Sequence, residues 1–261
     1  MSRRILVIFL LSAIAADHVW AASKLLELLT QITKSLEQHR IQNYVNICRR
    51  SDPEFDDCLR ESIEKIKPHL ANGIPELGLP GCDPVRLTEI TSNQGKGEST
   101  VQIQYRNVEI SGPSQFALIS VSSDVVNGIV RMKLWIPDLS MKSDYSINEY
   151  MRPIHAIGRH QANFSDMDVL AELQCERNTK GGEDYLNVRN AAVDMQIGHA
   201  SVYFSDDQRK LGEELNQLIN EKWQGIAEEM RPVLEKTIAG LFLAYSNRLF
   251  SQYPLDTIMP A

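Results

Sequence analysis

The chain has 261 residues, is 43% hydrophobic, and carries 27 basic against 34 acidic side chains, for a formal charge of −7. That length suffices for one large domain or two small ones. An acidic surface repels phosphate backbones and anionic lipid, which argues against nucleic acid as a partner and against a firm electrostatic grip on membranes.

The first residues read as a secretory leader. Arg3 and Arg4 form the charged start, and Ile5 to Ala16 is an apolar run too short to span a bilayer. Val19-Trp20-Ala21 offers a small-residue cleavage pattern, so 1–21 is read as the leader, with Ala22 as the alternative end. Removing Arg3, Arg4 and Asp17 leaves 25 basic and 33 acidic residues, net −8. No later stretch is apolar all round, so no stable membrane insertion is expected, and the protein reads as secreted.

Secretion changes the meaning of Cys48, Cys58, Cys82 and Cys175. Near neighbours pair in an oxidising compartment. Cys48 and Cys58 enclose nine residues, including the turn signal Asp52-Pro53. They are expected to bridge, at roughly 2–3 kcal/mol in a chain-entropy account. A second pair, Cys82 with Cys175, stays open. The spacing lacks a Cys-x-x-Cys unit and a His pair, so no metal site is read. Asn163-Phe164-Ser165 is the one glycosylation sequon.

Residues 24–44 have a helical rhythm at Leu25, Leu28, Leu29, Ile32 and Leu36, the pattern of an amphipathic helix or an N-terminal arm. A second helix is expected from Pro53 or Asp56 to about Leu70, with Phe55, Leu59, Ile63 and Ile66 on its apolar face. Glycines and prolines between Asn72 and Pro80 forbid a helix there and predict an ordered connection.

From about Arg86 to Phe204 the rhythm becomes two. Val101, Ile103 and Tyr105 alternate, as do Val130, Met132, Leu134 and Ile136, then Leu139 and Met141 after Pro137. Met167 to Cys175, Leu186 with Val188, Val193 to Ile197, and Val202 with Phe204 continue the series. Asn127-Gly128, Gly181-Gly182 and Gly198 read as turns between strands. The sum is seven or more antiparallel strands with one apolar face. No short repeat or linker interrupts the chain, so 22–261 is read as a single domain.

Asp206 to Ser251 then returns to a helical rhythm, at Leu211, Leu215, Leu218, Trp223, Ile226, Met230, Leu234, Ile238, Leu241 and Tyr245. A helix of that length runs about 60–65 Å. Ser205-Asp206-Asp207 supplies N-cap candidates, and Pro232 predicts a kink or a division. A long antiparallel sheet with one apolar face can curl round such a helix. A gap between them would be lined by aliphatic and aromatic side chains and would take elongated apolar molecules. Periodicity alone favours a filled core, with the tunnel as the alternative.

Gly112-Pro113-Ser114-Gln115-Phe116 breaks the lipase elbow at its second glycine. There is no Walker loop, His-Glu-x-x-His or Gly-x-Gly-x-x-Gly. The chain is read as a non-enzyme without a cofactor; lipid chemistry would need a Ser or Cys beside a His inside the cavity.

Three blocks carry a family resemblance. Cys48-Arg49-Arg50-Ser51-Asp52-Pro53-Glu54-Phe55-Asp56-Asp57-Cys58-Leu59 is similar to the disulfide motif of the arthropod takeout and haemolymph juvenile-hormone-binding family. Gly73-Ile74-Pro75-Glu76-Leu77-Gly78-Leu79-Pro80 with Asp83-Pro84, and Leu215 to Trp223, resemble the same family. The resemblance implies a tubular lipid-binding (TULIP-like) α+β fold, a long C-terminal helix wrapped by a highly curved antiparallel sheet. It implies a secreted, haemolymph-type carrier of a small hydrophobic ligand: a juvenile-hormone-like terpenoid, a fatty acid or a related lipid. It implies no catalytic residues, and carries the disulfide over to Cys48 and Cys58. Tunnel lining carries over as a region, for which Trp223, Ile226, Leu234, Ile238, Phe242 and Tyr245 are the candidates. The alternative is a secreted interaction protein with a filled tunnel that acts through a receptor. This chain departs from the family at Glu149 and His160, where glycine is usual. A side chain at either place would alter the strand bend or the cavity mouth.

Overall fold

The structure is a computed structural model that describes residues 24–33, 35–94, 101–149, 155–206, 216–217, 220–221 and 223–261. The expected leader lies outside the described residues. The chain divides into two compact units, Met1–Asn43 and Tyr44–Ala261. In the first, residues 24–33 and 35–42 are helical, with Leu25, Leu28, Leu29, Ile32 and Leu36 exposed.

The second unit opens with the Cys48–Cys58 disulfide. Next comes α1, Phe55–Leu70, whose first turn carries Asp56 and Asp57 and whose last carries Lys67 and His69. The charges of Asp56, Asp57 and Lys67 complement the helix dipole at both ends. The proline-rich connection forms a two-stranded hairpin, β1 (Gly73–Ile74) with β2 (Leu79–Pro80), around a single 3₁₀ turn at Pro75–Leu77.

The main sheet has six antiparallel strands: β3 (Val85–Gln94), β4 (Val101–Ser111), β5 (Ala117–Asp124), β6 (Ile129–Glu149), β7 (His155–Lys180) and β8 (Glu183–Asp206). The order is β3-β4-β6-β7-β8, with β5 pairing the first half of β6. α1 packs on β5, where Ser123 Oγ donates to Asp56 Oδ1 at 2.5 Å. Helix α2 (Trp223–Phe250) lies along β8 and also touches β3, so it reaches both edges of the sheet order. A short α3 (Leu255–Ile258) follows, and Asp256 pairs with Arg50 at 2.6 Å.

β6, β7 and β8 are 21, 26 and 24 residues long, far beyond the usual strand of about 5–6. Their length explains why the alternation between Arg86 and Phe204 read as seven or more strands where the described residues form six. Gly198, read as a turn, lies inside β8. It belongs to a row in which three neighbouring strands bend together. Pro137 in β6 and Asp166 in β7 drop out of the pairing register, and Asp166 has φ +53°. A Cβ at Gly198 would come within 2.6 Å of Asp166 Cβ. The inward phase slips on this row: 132, 134 and 136 give way to 139, 141 and 143 on β6, and 160, 162 and 164 to 167, 169 and 171 on β7. A lone proline, a left-handed Asp and a glycine thus curve one sheet without dividing it.

The expected helix from Asp206 starts later. β8 runs through Ser205 and Asp206, so those two residues extend a strand and do not cap a helix; Asp207 lies outside the described residues. The backbone donors and acceptors of β8 prevail because β7 pairs with it as far as Asp206. Residues 216–217 and 220–221 are helical, and α2 passes through Pro232 without dividing. One lost backbone bond is outweighed by burial of Met230 and Leu234 on either side.

Candidate ligand-binding site

The concave face of the sheet and one stripe of α2 form a single apolar cluster. The sheet contributes Met132, Leu134, Ile136, Phe164, Met167 and Val169; the helix contributes Ala227, Met230 and Leu234. No Asp, Glu, Lys or Arg is buried among the described residues. Between His160 and Leu173, β7 alone offers about 40 Å of this wall at the strand rise.

All six candidate lining residues lie in α2. Leu234 is buried in the cluster, and Trp223, Ile238 and Phe242 pack against it. The backbone of Ile226 is helical; its side chain lies outside the described set. Tyr245 donates its hydroxyl to Gly81 O at 3.0 Å, holding the helix to the connection before β3. Trp223 also stands edge-on to His199 at 5.0 Å and borders a groove of about 220 Å³ with Met195, Ile197, Ala227, Glu228 and Arg231. That volume is below the roughly 300–1,000 Å³ of ordinary ligand sites. Asn163 is exposed on β7. Cys82 and Cys175 are free, partly buried thiols, so the second bridge left open by the sequence is not formed. Burial and the neighbouring Asp83 carboxylate push the Cys82 thiol up to about 11, which favours the thiol over the thiolate at neutral pH.

Two features were missed in the sequence. The first is the seam between α2 and β8. As an edge strand, β8 presents unpaired backbone groups on its outer side. Helix side chains satisfy them. Asn247 Oδ1 accepts from Val188 N at 2.7 Å while its Nδ2 donates to Val188 O at 2.9 Å. Asn216 clamps Phe204 in the same two-bond manner, Asn220 clamps Val202, and Glu235 accepts from Met195 N at 3.1 Å. Within α2, going from Glu235 to Asn247 climbs about 18 Å of helix, and going from Met195 to Val188 descends about 23 Å of strand, so the two elements keep step.

The second is a polar layer at one end of the apolar face. Ser143 on β6 stands opposite His160 on β7, which stands opposite Phe204 on β8. Ser143 Oγ lies 3.3 Å from His160 Nδ1, and both residues are buried. The His160 ring lies 4.8 Å from Tyr105 and 4.8 Å from Phe204. Burial lowers the His160 pKa to about 4, so the imidazole is neutral at physiological pH. In the adjacent row Tyr105 faces Tyr145, which packs over Gly158. A Cβ at Gly158 would overlap Ser205 O and press on Tyr145, so β8 approaches this point too closely for any side chain. Ser143 was legible in principle: it extends the inward series Leu139, Met141.

This pair is a Ser beside a His inside the apolar interior, the arrangement lipid chemistry would require. The contact uses Nδ1, and no carboxylate hydrogen-bonds the ring among the described residues.

Comparison with known proteins places this geometry. A family profile described as haemolymph juvenile hormone binding protein (JHBP) matches residues 25–260. A putative beta-carotene-binding protein of Schistocerca gregaria is 22% identical over 224 residues, covering 83% of this chain and 88% of that protein. The circadian clock-controlled protein daywake of Drosophila melanogaster is 20% identical over 221 residues, covering 80% and 85%. The crystal structure of Epiphyas postvittana Takeout 1 superposes with a TM-score of 0.69 at 16% identity, over 83% of this chain and all of that one, which establishes the shared curled-sheet fold. On this footing the chain belongs to the takeout and haemolymph juvenile-hormone-binding family.

Proposed function

We propose that the protein is a secreted carrier that holds one elongated apolar molecule between the concave face of the sheet and α2. The observation that carries this reading is the inner wall itself: long, aliphatic and aromatic, and without a buried charge among the described residues, on a fold whose family name refers to hormone binding. A relative described as binding beta-carotene supports an extended lipophilic ligand. The disulfide and the haemolymph description favour an extracellular setting. No helix among the described residues is long and apolar enough to cross a membrane.

The reading places the ligand beside the small inward residues of β7. Ala171 is fully buried there, opposite Met132 on β6 and Val193 on β8. An indole at this point occupies ligand space. We expect delipidated wild-type protein to take up a fluorescent fatty acid at one-to-one stoichiometry, and Ala171→Trp to lose affinity at least about tenfold while keeping its circular dichroism. Overpacking should cost the variant only about 1–3 kcal/mol. Uptake that is equal in the two proteins would place the ligand elsewhere.

A further inference from the structure

Among the described residues, the sheet buries only two polar side chains apart from the tyrosines, and they are Ser143 and His160. They touch each other, sit in one register row, and lie at one end of a face whose other buried residues are aliphatic or aromatic. A buried hydroxyl and imidazole are costly to keep in such a wall unless they are paired. Their mutual contact engages one nitrogen of the ring. Whichever tautomer is present, the pair retains one further donor and one further acceptor.

We propose that Ser143 and His160 form the subsite that receives the oxygen-bearing end of the ligand, and that they select a neutral oxygenated lipid, such as an alcohol or ester. This rests on the carrier reading and adds to it an orientation and a chemical class. The tail lies along Met141, Phe164, Met167 and Val169, and the oxygen meets the imidazole at the layer framed by Tyr105, Tyr145 and Phe204. A hydroxyl matches the pair because it both donates and accepts. An ester carbonyl takes the donor the pair leaves free, the ring N–H or the Ser143 O–H according to the tautomer. A carboxylate finds no positive charge, since the buried ring is neutral and no Lys or Arg is buried among the described residues. A hydrocarbon gains nothing from the pair.

The test titrates purified, delipidated protein with a long-chain alcohol, its methyl ester, the n-alkane and the carboxylate of equal length, each displacing one fluorescent probe. Comparison is made within each ligand, between wild type, His160→Phe and Ser143→Ala, so that differences in water solubility cancel. Loss of one neutral hydrogen bond predicts that both substitutions weaken the alcohol and the ester roughly five- to tenfold. The alkane and the carboxylate should change less than about twofold. Ser143→Ala is small enough to keep the fold if the phenylalanine is not tolerated. Equal losses for all four ligands, no loss for any, or a loss confined to the carboxylate would overturn the proposal. Failure of the wild type to bind any of the four would overturn the carrier reading itself.

Discussion

Asn247→Ala is expected to destabilise the protein by about 2–4 kcal/mol. Asn247 closes a two-bond clamp on Val188, whose own residue is buried. Truncation leaves one backbone N–H and one C=O of the buried Val188 without their side-chain partners. Each unsatisfied group costs about 1–3 kcal/mol. Asn247→Asp separates the two bonds. The carboxylate still accepts from Val188 N–H but sets an anionic oxygen against Val188 O, so it should recover little of the loss. Denaturant unfolding of both variants measures this. A change below about 0.5 kcal/mol in Asn247→Ala would show that the helix is held to β8 by apolar contact alone. The seam matters to function because β8 is one edge of the sheet order, and α2 is what covers it.

Acid is expected to weaken the wild type more than the His160→Phe variant. His160 is 3% exposed, and burial alone depresses its pKa from 6.5 to about 4. Above pH 6.5 the ring is neutral in both folded and unfolded states, and the native state keeps its full stability. As pH falls below 6.5 the unfolded chain takes up a proton that the folded chain refuses. Stability then falls by about 1.4 kcal/mol per pH unit until the folded ring also protonates, reaching on the order of 3 kcal/mol by pH 4. Carboxylates titrate in the same range, so the informative quantity is the difference between the two proteins. Parallel stability curves from pH 7 to 4 would contradict a buried neutral His160. The stability of His160→Phe relative to the wild type should therefore be constant above pH 6.5 and rise by on the order of 3 kcal/mol towards pH 4.

The period-two stretch and the helical stripe made the fold class legible, because burial of one face imposes period on sequence. The stripe Met230, Leu234, Ile238 and Leu241 faces the core as its spacing indicated. What escaped was where elements end. Gly198 looks like a turn in isolation; only its neighbours across the sheet, Asp166 and Pro137, make it a bend. Ser205 and Asp206 look like a helix cap, but β7 offers their backbone a better partner. The clamps escaped for another reason. Asparagine on a helix is ordinarily a solvent-facing residue, and nothing in the order of residues shows that positions 216, 220 and 247 meet a strand edge. His160 was visible as a departure from the family pattern, yet its pairing with Ser143 depends on register across β6 and β7.

The account stands most directly on whether the chain carries an apolar molecule. Native mass spectrometry of the protein as secreted, followed by organic extraction, measures this. The account predicts a bound species near one-to-one, released into the organic phase as a neutral, oxygen-bearing lipid. A protein of unliganded mass that also refuses a long-chain alcohol and a fluorescent fatty acid would contradict it, and would leave a filled core that acts through its outer surface.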